Sequence, residues 1–242
     1  MYFSFNKKFS FKKEEKISKS VKKIIIFLNS IFLLAIIIFA PLSFYIFNFN
    51  YYNELYEKNR VYEKLDRNDV AVITKSVFNF FRHNQQFKEF KLKGNINYFN
   101  EREINHLDDV RILLNKIFII FYSSIAVFVI LALFLIDRNY PVFIKNISLI
   151  FIISSSTIIV FLTVLYFLAN NFGSLFDKFH LAFFPQGNWA FPEGTLIITI
   201  FPFGFFLDFF FKLLTTSFII SIVLLISGIS GIIFANKKTG KV

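Results

Sequence analysis

The sequence predicts an all-α membrane protein with four transmembrane helices, and three observations lead to this fold class. The 242-residue chain is 55% hydrophobic, whereas soluble domains are typically about 45–50% apolar. Four apolar stretches are each long enough to cross a hydrocarbon core of about 30 Å, which takes about 20 helical residues. These stretches contain almost no charged residues, although the chain as a whole carries a net charge of +11.

The predicted spans are bounded by short basic segments that indicate their orientation. The spans comprise residues 24–47, 117–136, 147–168 and 213–235. The first is too long for a signal-peptide core and lacks a small-residue cleavage site, so it is predicted to be a retained anchor. Lys and Arg concentrate in the tail 1–23, the loop 137–146 and the tail 236–242. Because such flanks stay on the cytoplasmic side, both termini are predicted to be cytoplasmic.

Segment 48–116 is predicted to form a small mixed α/β extracytoplasmic cap between helices 1 and 2. Residues 51–65 are interpreted as a helical extension of span one, and residues 100–116 as a helix that runs into span two. Residues 87–99 predict a β-hairpin with its turn near Gly94 and Asn95. Between them, residues 69–83 predict an amphipathic helix. Its apolar face would carry Val70, Ile73, Val77 and either Phe80 or Phe81.

Segment 169–212 is predicted to be a short interfacial loop between helices 3 and 4. Residues 195–211 are apolar enough to suggest a fifth span, but Pro202, Gly204 and Asp208 are expected to interrupt it. A fifth crossing would also place the basic C-terminal tail outside. An interfacial or re-entrant segment is therefore the better interpretation.

Composition and motifs exclude several function classes. The absence of cysteine excludes disulfides, thiolate metal sites and a cysteine nucleophile. Because the basic residues lie on membrane-flanking segments, no nucleic-acid partner is predicted. The chain has no G-x-S-x-G elbow, Walker A motif, dinucleotide fingerprint or H-E-x-x-H motif, and no cofactor is predicted. The lack of charges within the spans argues against a transporter or channel with a midplane site.

The three histidines all fall in the predicted extracytoplasmic segments. His83 begins a polar run and is interpreted as part of a solvated helix end. Helical spacing places Arg102, His106 and Asp109 on one face, with Glu103 also one turn behind His106. A carboxylate beside an imidazole can orient the ring and raise its basicity. The alternative is an ordinary exposed helix with intrahelical charge pairs.

His180 lies in the second outer segment, in an aromatic stretch that also contains Asn188 and Trp189. A lone histidine in such a position is often a hydrogen-bonded structural residue. If both outer segments meet above the same bundle, however, His106 and His180 would form a proton-shuttling pair. A metal held by these two histidines and a carboxylate is a further alternative.

Two motifs contain these histidines. The first reads F-N-E-R-E-I-x-H-L-x-D-V-R over residues 99–111, and the second reads F-H-x-x-F-F-x-x-x-x-W over residues 179–189. The apolar run LIITIFPFGFFLD, residues 196–208, extends the second motif. Together with one long and one short outer segment, they resemble the bacterial lipoprotein intramolecular transacylases, a family of small four-span membrane proteins of low-GC Gram-positive bacteria.

This resemblance implies a reaction, a location and a set of site residues. The family moves the sn-2 acyl chain of a diacylglyceryl-cysteine lipoprotein onto its N-terminal α-amine, which gives a lyso-form lipoprotein. His106 and His180 would be catalytic, and the supporting residues would be Arg102, Glu103, Asp109, Asn188 and Trp189. The resemblance implies neither metal nor cofactor. The partners would be a diacylated lipoprotein and membrane lipid, and the active site would face the extracytoplasmic side of a bacterial cell membrane.

Two other functions remain as alternatives. One is a non-enzymatic membrane sensor or accessory protein whose outer cap binds a ligand, and the other is a metal-dependent membrane hydrolase. Loss of lyso-lipoprotein formation on replacement of His106 would favour the transacylase, whereas inhibition by a chelator would favour the hydrolase. The oligomeric state, the acyl-chain preference and the division of acid and base roles are not predicted.

Overall fold

Helices make up most of the described chain. The computed structural model describes residues 18–83, 93 and 98–240, and within these ranges it contains no strand. The helices are α1 (Lys19–Tyr45), α2 (Phe49–Lys58), α3 (Arg67–His83), α4 (Glu101–Phe134), α5 (Tyr140–Leu168), α6 (Phe172–Phe183), α7 (Leu196–Ile200) and α8 (Phe203–Lys238). The predicted all-α class is confirmed for these residues. The predicted hairpin lies almost entirely outside the described residues.

Within the part of the chain that the structure describes, four helical segments are long and apolar enough to cross a membrane, as the sequence predicted: α1, α4, the run from α5 into α6, and α8. At 1.5 Å per residue, the 34 residues of α4 extend over roughly 50 Å, whereas the hydrocarbon core is about 30 Å thick. The charged first turns of α4, residues 101–116, therefore project beyond its apolar part. A 3-10 turn likewise separates α6 from α5. His106 thus precedes the apolar part of α4, and His180 lies on α6, after the 3-10 turn that follows α5.

The helix is interrupted between α1, which ends at Tyr45, and α2, which begins at Phe49. The prediction that residues 51–65 extend span one is therefore wrong. The Asn48 side chain accepts a 3.1 Å hydrogen bond from the Tyr51 backbone N–H and thereby begins a new helix. This second helix ends at Lys58, and Arg60 then adopts a left-handed conformation with φ of 56°. Helix α2 packs in the cap, which we define as α2, α3 and residues 101–116.

Helix α8 begins at Phe203, well before the predicted start of span four at residue 213. Pro202 precedes its first turn, where the missing proline N–H costs nothing. Gly204 and Asp208 lie inside the helix, so the prediction that they interrupt it is wrong. The reason is tertiary: the Asp208 carboxylate accepts hydrogen bonds from Lys58 (2.6 Å) and Asn59 (3.0 Å) of the α2 end.

Two hydrophobic clusters organise the molecule. One lies among the spans, and the other joins the cap to α7 and the start of α8. The hydroxyls of Tyr56 and Thr74 share a buried 2.9 Å hydrogen bond within the cap. The predicted apolar face of α3 is confirmed, because its members are all buried: Val70, Ile73, Val77, Phe80 and Phe81.

Close packing of α5 against α8 leads to a testable prediction. A Cβ atom added at Gly228 would lie 2.8 Å from the Ile152 side chain and 2.9 Å from the Ser148 carbonyl oxygen. Gly228→Val should therefore separate the two helices and cost about 1–3 kcal/mol. We expect a lower apparent melting temperature in detergent, followed by the fluorescence of the single tryptophan. Gly173→Ala is the matched control, because its added methyl group meets nothing within 4 Å.

Candidate active site

The two sequence-predicted histidines come together between α4 and α6. The ring centroids of His106 and His180 lie 6.0 Å apart with an interplanar angle of 29°, and each residue is only 7% exposed. Aromatic side chains enclose them: Phe184 lies 5.0 Å from the His106 ring, and Trp189 lies 4.8 Å from the His180 ring. The arrangement is a buried imidazole pair in an aromatic setting.

A backbone carbonyl fixes the tautomer of His180. Its Nδ1 lies 2.8 Å from the Phe176 carbonyl oxygen, one turn earlier in α6. A carbonyl can only accept a hydrogen bond, so Nδ1 carries the hydrogen. In the neutral ring, Nε2 therefore keeps its lone pair and can accept a proton.

Burial keeps both imidazoles neutral at ordinary pH. Burial, and secondarily the neighbouring His180, lower the pKa of His106 from 6.5 to about 4, while Asp109 and Asn188 act in the opposite direction. Burial also lowers the pKa of His180, opposed by its hydrogen bond to the Phe176 carbonyl and by Asp177. A neutral imidazole is the form that can remove a proton from a substrate.

Asp109 ties the loop after α6 to α4. Its Oδ2 accepts hydrogen bonds from the side-chain amides of Gln186 (2.6 Å) and Asn188 (2.7 Å). The Asn188 side chain lies close enough to His106 to favour a protonated imidazole. Among the described residues, however, neither His106 Nδ1 nor Asn188 Oδ1 completes a well-aligned hydrogen bond. Asp109 thus acts on His106 through its charge and through the placement of Asn188.

Arg102 and Glu103 hold the same loop from the first turn of α4. The Arg102 guanidinium donates a 2.8 Å hydrogen bond to the Ala190 carbonyl and lies 5.4 Å from the Phe191 ring. Glu103 is 1% exposed. Its Oε2 accepts from the Asn100 N–H and its Oε1 from the Ile197 N–H, both at 2.8 Å. Glu103 therefore joins α4 to α7 and does not orient the His106 ring, contrary to the sequence interpretation.

Three buried polar atoms of the site lack a hydrogen-bond partner within the described part of the chain: His106 Nδ1, Asn188 Oδ1 and Trp189 Nε1. Buried polar groups are normally satisfied by the protein, water or a ligand. The set offers an indole N–H donor and an amide oxygen acceptor beside two imidazoles. Such groups can bind a polar substrate head at a position otherwise walled by aromatic rings.

An apolar cavity of about 490 Å³ adjoins the histidines. Its volume falls in the range of about 300–1,000 Å³ that is usual for small-molecule sites. Apart from His106, His180 and Tyr52, its walls are aliphatic or phenylalanine side chains. His83, by contrast, lies at the exposed end of α3, as the sequence predicted. Residues 18–83, 93 and 98–240 contain no group of three or more His, Asp or Glu side chains arranged to hold a metal.

Several contributors to the site were not predicted from the sequence. Gln186 could not be identified because its partner, Asp109, lies in a distant segment. The Phe176 carbonyl could not be identified because it is a backbone atom, which every residue type has. Asn100 and Glu103 did give a sequence signal. The pattern N-x-x-E before an apolar run indicates a capping box, and the structure contains both of its hydrogen bonds.

Comparison with known proteins agrees with the geometry. A model of the family described as "Lipoprotein intramolecular transacylase Lit" matches residues 14–206, most of the chain. The chain belongs to the lipoprotein intramolecular transacylase family. It is therefore an enzyme of the transacylase class, and its four long apolar helices make it a multi-pass membrane protein.

Similar proteins include one curated sequence and several solved structures. An uncharacterized protein of Aquifex aeolicus is 30% identical over 154 residues, which cover 64% of this chain and 67% of that protein. The structure of the membrane integral transacylase Lit from Bacillus cereus has a TM-score of 0.71 at 20% identity, covering 93% of this chain and 100% of that one. A form of the same protein with one histidine replaced by alanine has a TM-score of 0.65 at 20% identity, covering 92% and 97%. These structural similarities show that the fold is shared.

Proposed function

We propose that this chain moves the sn-2 acyl chain of a diacylglyceryl-cysteine lipoprotein onto the α-amine of the same cysteine. The nitrogen attacks the ester carbonyl carbon, an N–C bond forms, and the bond from that carbon to the sn-2 oxygen breaks. The proton lost by the nitrogen ends on the sn-2 oxygen, so the reaction is balanced without water or a co-substrate. Because amine and ester belong to one molecule, proximity supplies much of the rate.

The observation that carries this proposal is the pair of neutral, buried imidazoles beside an apolar cavity. We assign the first proton transfer to Nε2 of His180, because the Phe176 carbonyl holds its other nitrogen protonated. The substrate α-amine has an ordinary pKa of about 7.7–8.0, so an appreciable fraction is the free, nucleophilic amine at neutral pH. His106 lies close enough to relay the proton towards the departing oxygen. Each such acid or base step contributes about 10²–10⁴-fold.

The tetrahedral intermediate carries an oxyanion that needs a hydrogen-bond donor. Three of the supporting residues carry N–H groups that could donate: Arg102, Asn188 and Trp189. Arg102 is exposed and donates to the Ala190 carbonyl, and the Asn188 amide donates to Asp109. The Trp189 indole N–H is buried and has no partner among the described residues. We therefore assign this role to Trp189.

We also propose that the histidine end of the bundle faces the extracytoplasmic side and that both termini are cytoplasmic. The support is the distribution of charge at the opposite end, where Lys22 pairs with Asp137 at 2.9 Å. Further cations flank the same ends of the spans: Lys19, Lys23, Arg138, Lys145, Lys237 and Lys238. Short basic flanks of this kind are retained in the cytoplasm.

Expression in a bacterial strain whose lipoproteins are diacylated tests the reaction directly. Mass analysis of lipoprotein N-terminal peptides should reveal an acylated α-amine and a glyceryl group with one ester-linked chain. The total acyl mass should be unchanged, because the chain is moved and not added. N-termini that remain diacylglyceryl with a free amine, despite normal expression of the protein, would contradict the proposed function.

The lowered histidine pKa values predict a pH dependence of stability. Between the folded value for His106, about 4, and the ordinary 6.5, the unfolded chain binds more protons than the folded one. Stability should therefore fall as the pH is lowered from about 6.5 towards 4. We expect the double variant His106→Gln/His180→Gln to lose part of this pH dependence in thermal unfolding. His83→Gln, at an exposed position, should retain all of it.

A further inference from the structure

The cavity beside the histidines is elongated along the axis of the bundle. On α4 it is lined from His106 through Val110 and Leu114 to Ile117. At 1.5 Å per residue, these positions extend over roughly 16 Å. The polar end of the cavity therefore lies at the imidazole pair, and its other end lies at Ile117, where the apolar part of α4 begins.

The far end of the cavity is formed by one aliphatic side chain from each of the four long helices: Leu42, Ile117, Leu165 and Leu213. Immediately deeper on three of these helices lie Ile37, Leu162 and Leu214, which are buried in the hydrophobic cluster of the spans. This cluster closes the inner end of the cavity. We call the four side chains at that end its floor. A chain that enters from the histidine end thus meets a fixed limit.

Helix packing leaves room for such a cavity. Helix α5 packs on both α1 and α8, whereas the main partner of α4 is α1. Helices α4 and α8 therefore approach each other less closely than their main partners, and side chains of both line the cavity between them. Phe179 of α6 and Phe206 of α8 line it and are also exposed, at 44% and 38%. The cavity thus reaches the surface on the side of α6.

We propose that this cavity holds the acyl chain that is transferred, and that Leu42, Leu165 and Leu213 set the longest chain accepted. This inference rests on the proposed transacylase function and adds a determinant of acyl-chain length to it. The sn-2 chain is the occupant that fits, because its ester must lie at the imidazoles while its apolar tail needs an uncharged channel.

The test measures chain-length preference in the purified full-length protein. Synthetic diacyl lipopeptides would carry either an octanoyl or a palmitoyl chain at the sn-2 position, and product would be measured by mass spectrometry as kcat/KM. In Leu213→Trp, the larger ring should occupy the floor of the cavity. We expect kcat/KM for the palmitoyl substrate to fall at least about tenfold, because the added ring overpacks the end of the cavity that the longer tail must fill. The octanoyl substrate, whose tail is shorter, should lose less.

Ile219→Trp is the matched control, because Ile219 is on the same helix but 57% exposed towards the lipid-facing side. It should leave the ratio of the two substrates unchanged. Should Leu213→Trp fail to fold, Leu165→Phe provides the same test from α5. An unchanged palmitoyl-to-octanoyl ratio in a folded, active floor variant, or an equal loss on both substrates, would overturn the inference. Absence of product from either substrate with the unsubstituted protein would instead contradict the proposed function itself.

Discussion

The single variants His106→Gln and His180→Gln should each lower the rate of acyl transfer by about 10²–10⁴-fold. The reason is that both imidazoles are proposed to carry the proton from the substrate α-amine nitrogen to the sn-2 oxygen. Glutamine is neutral and of similar size, so the 7% exposed positions should remain filled. The double variant should be no more than slightly worse than either single variant, because residues that act as one unit are not additive. The measurement is the single-turnover conversion of a diacyl lipopeptide, followed by mass spectrometry.

His83→Gln is the control for the loss of a histidine as such, since His83 lies at the exposed end of α3. It should retain full activity. Thermal unfolding of the three single variants separates a catalytic effect from a folding defect. If His106→Gln and His180→Gln both convert substrate at the unsubstituted rate, the proposed proton transfer is wrong, even if the family reaction itself occurs.

Glu103→Ala should strongly destabilise the contact between the cap and α7. The buried carboxylate accepts the backbone N–H groups of Asn100 and Ile197 through separate oxygens. Removing it leaves the buried Ile197 N–H unsatisfied, at about 1–3 kcal/mol, and removes the capping contact to the part-buried Asn100 N–H, at about 1 kcal/mol. We therefore expect a loss of about 2–4 kcal/mol. Activity should fall as well, because the contact of Glu103 with Ile197 fixes the segment that follows Asn188 and Trp189. Apparent melting temperature and single-turnover rate together measure both effects.

Glu101→Ala is the matched control, because Glu101 is exposed on the same first turn of α4 and has the same charge relative to the helix end. It should change stability by no more than a few tenths of a kcal/mol. Glu103→Gln should lie between the two, because the amide keeps one acceptor oxygen but faces the other N–H with a donor. Equal melting temperatures for Glu103→Ala and Glu101→Ala would show that the capping and α7 contacts do not support the fold.

The four spans could be predicted because each depends on a property of one segment, namely an uninterrupted apolar run long enough for the hydrocarbon core. The buried face of α3 followed from helical periodicity in the same local way. The break at Asn48 and the early start of α8 were missed because they depend on single capping residues and on a partner elsewhere. The Asp208 carboxylate, in particular, is tolerated within α8 because Lys58 and Asn59 reach it from α2.

The sequence alone determined the class of the protein, its membrane spans and the two histidines worth considering. Their catalytic role stays a prediction. Only the tertiary structure decided that the His106 and His180 rings lie 6.0 Å apart, that the Phe176 carbonyl fixes one tautomer, and that Glu103 reaches α7 and not the imidazole. Each of these depends on contacts between distant segments or with a backbone atom, and neither residue type nor periodicity records such contacts.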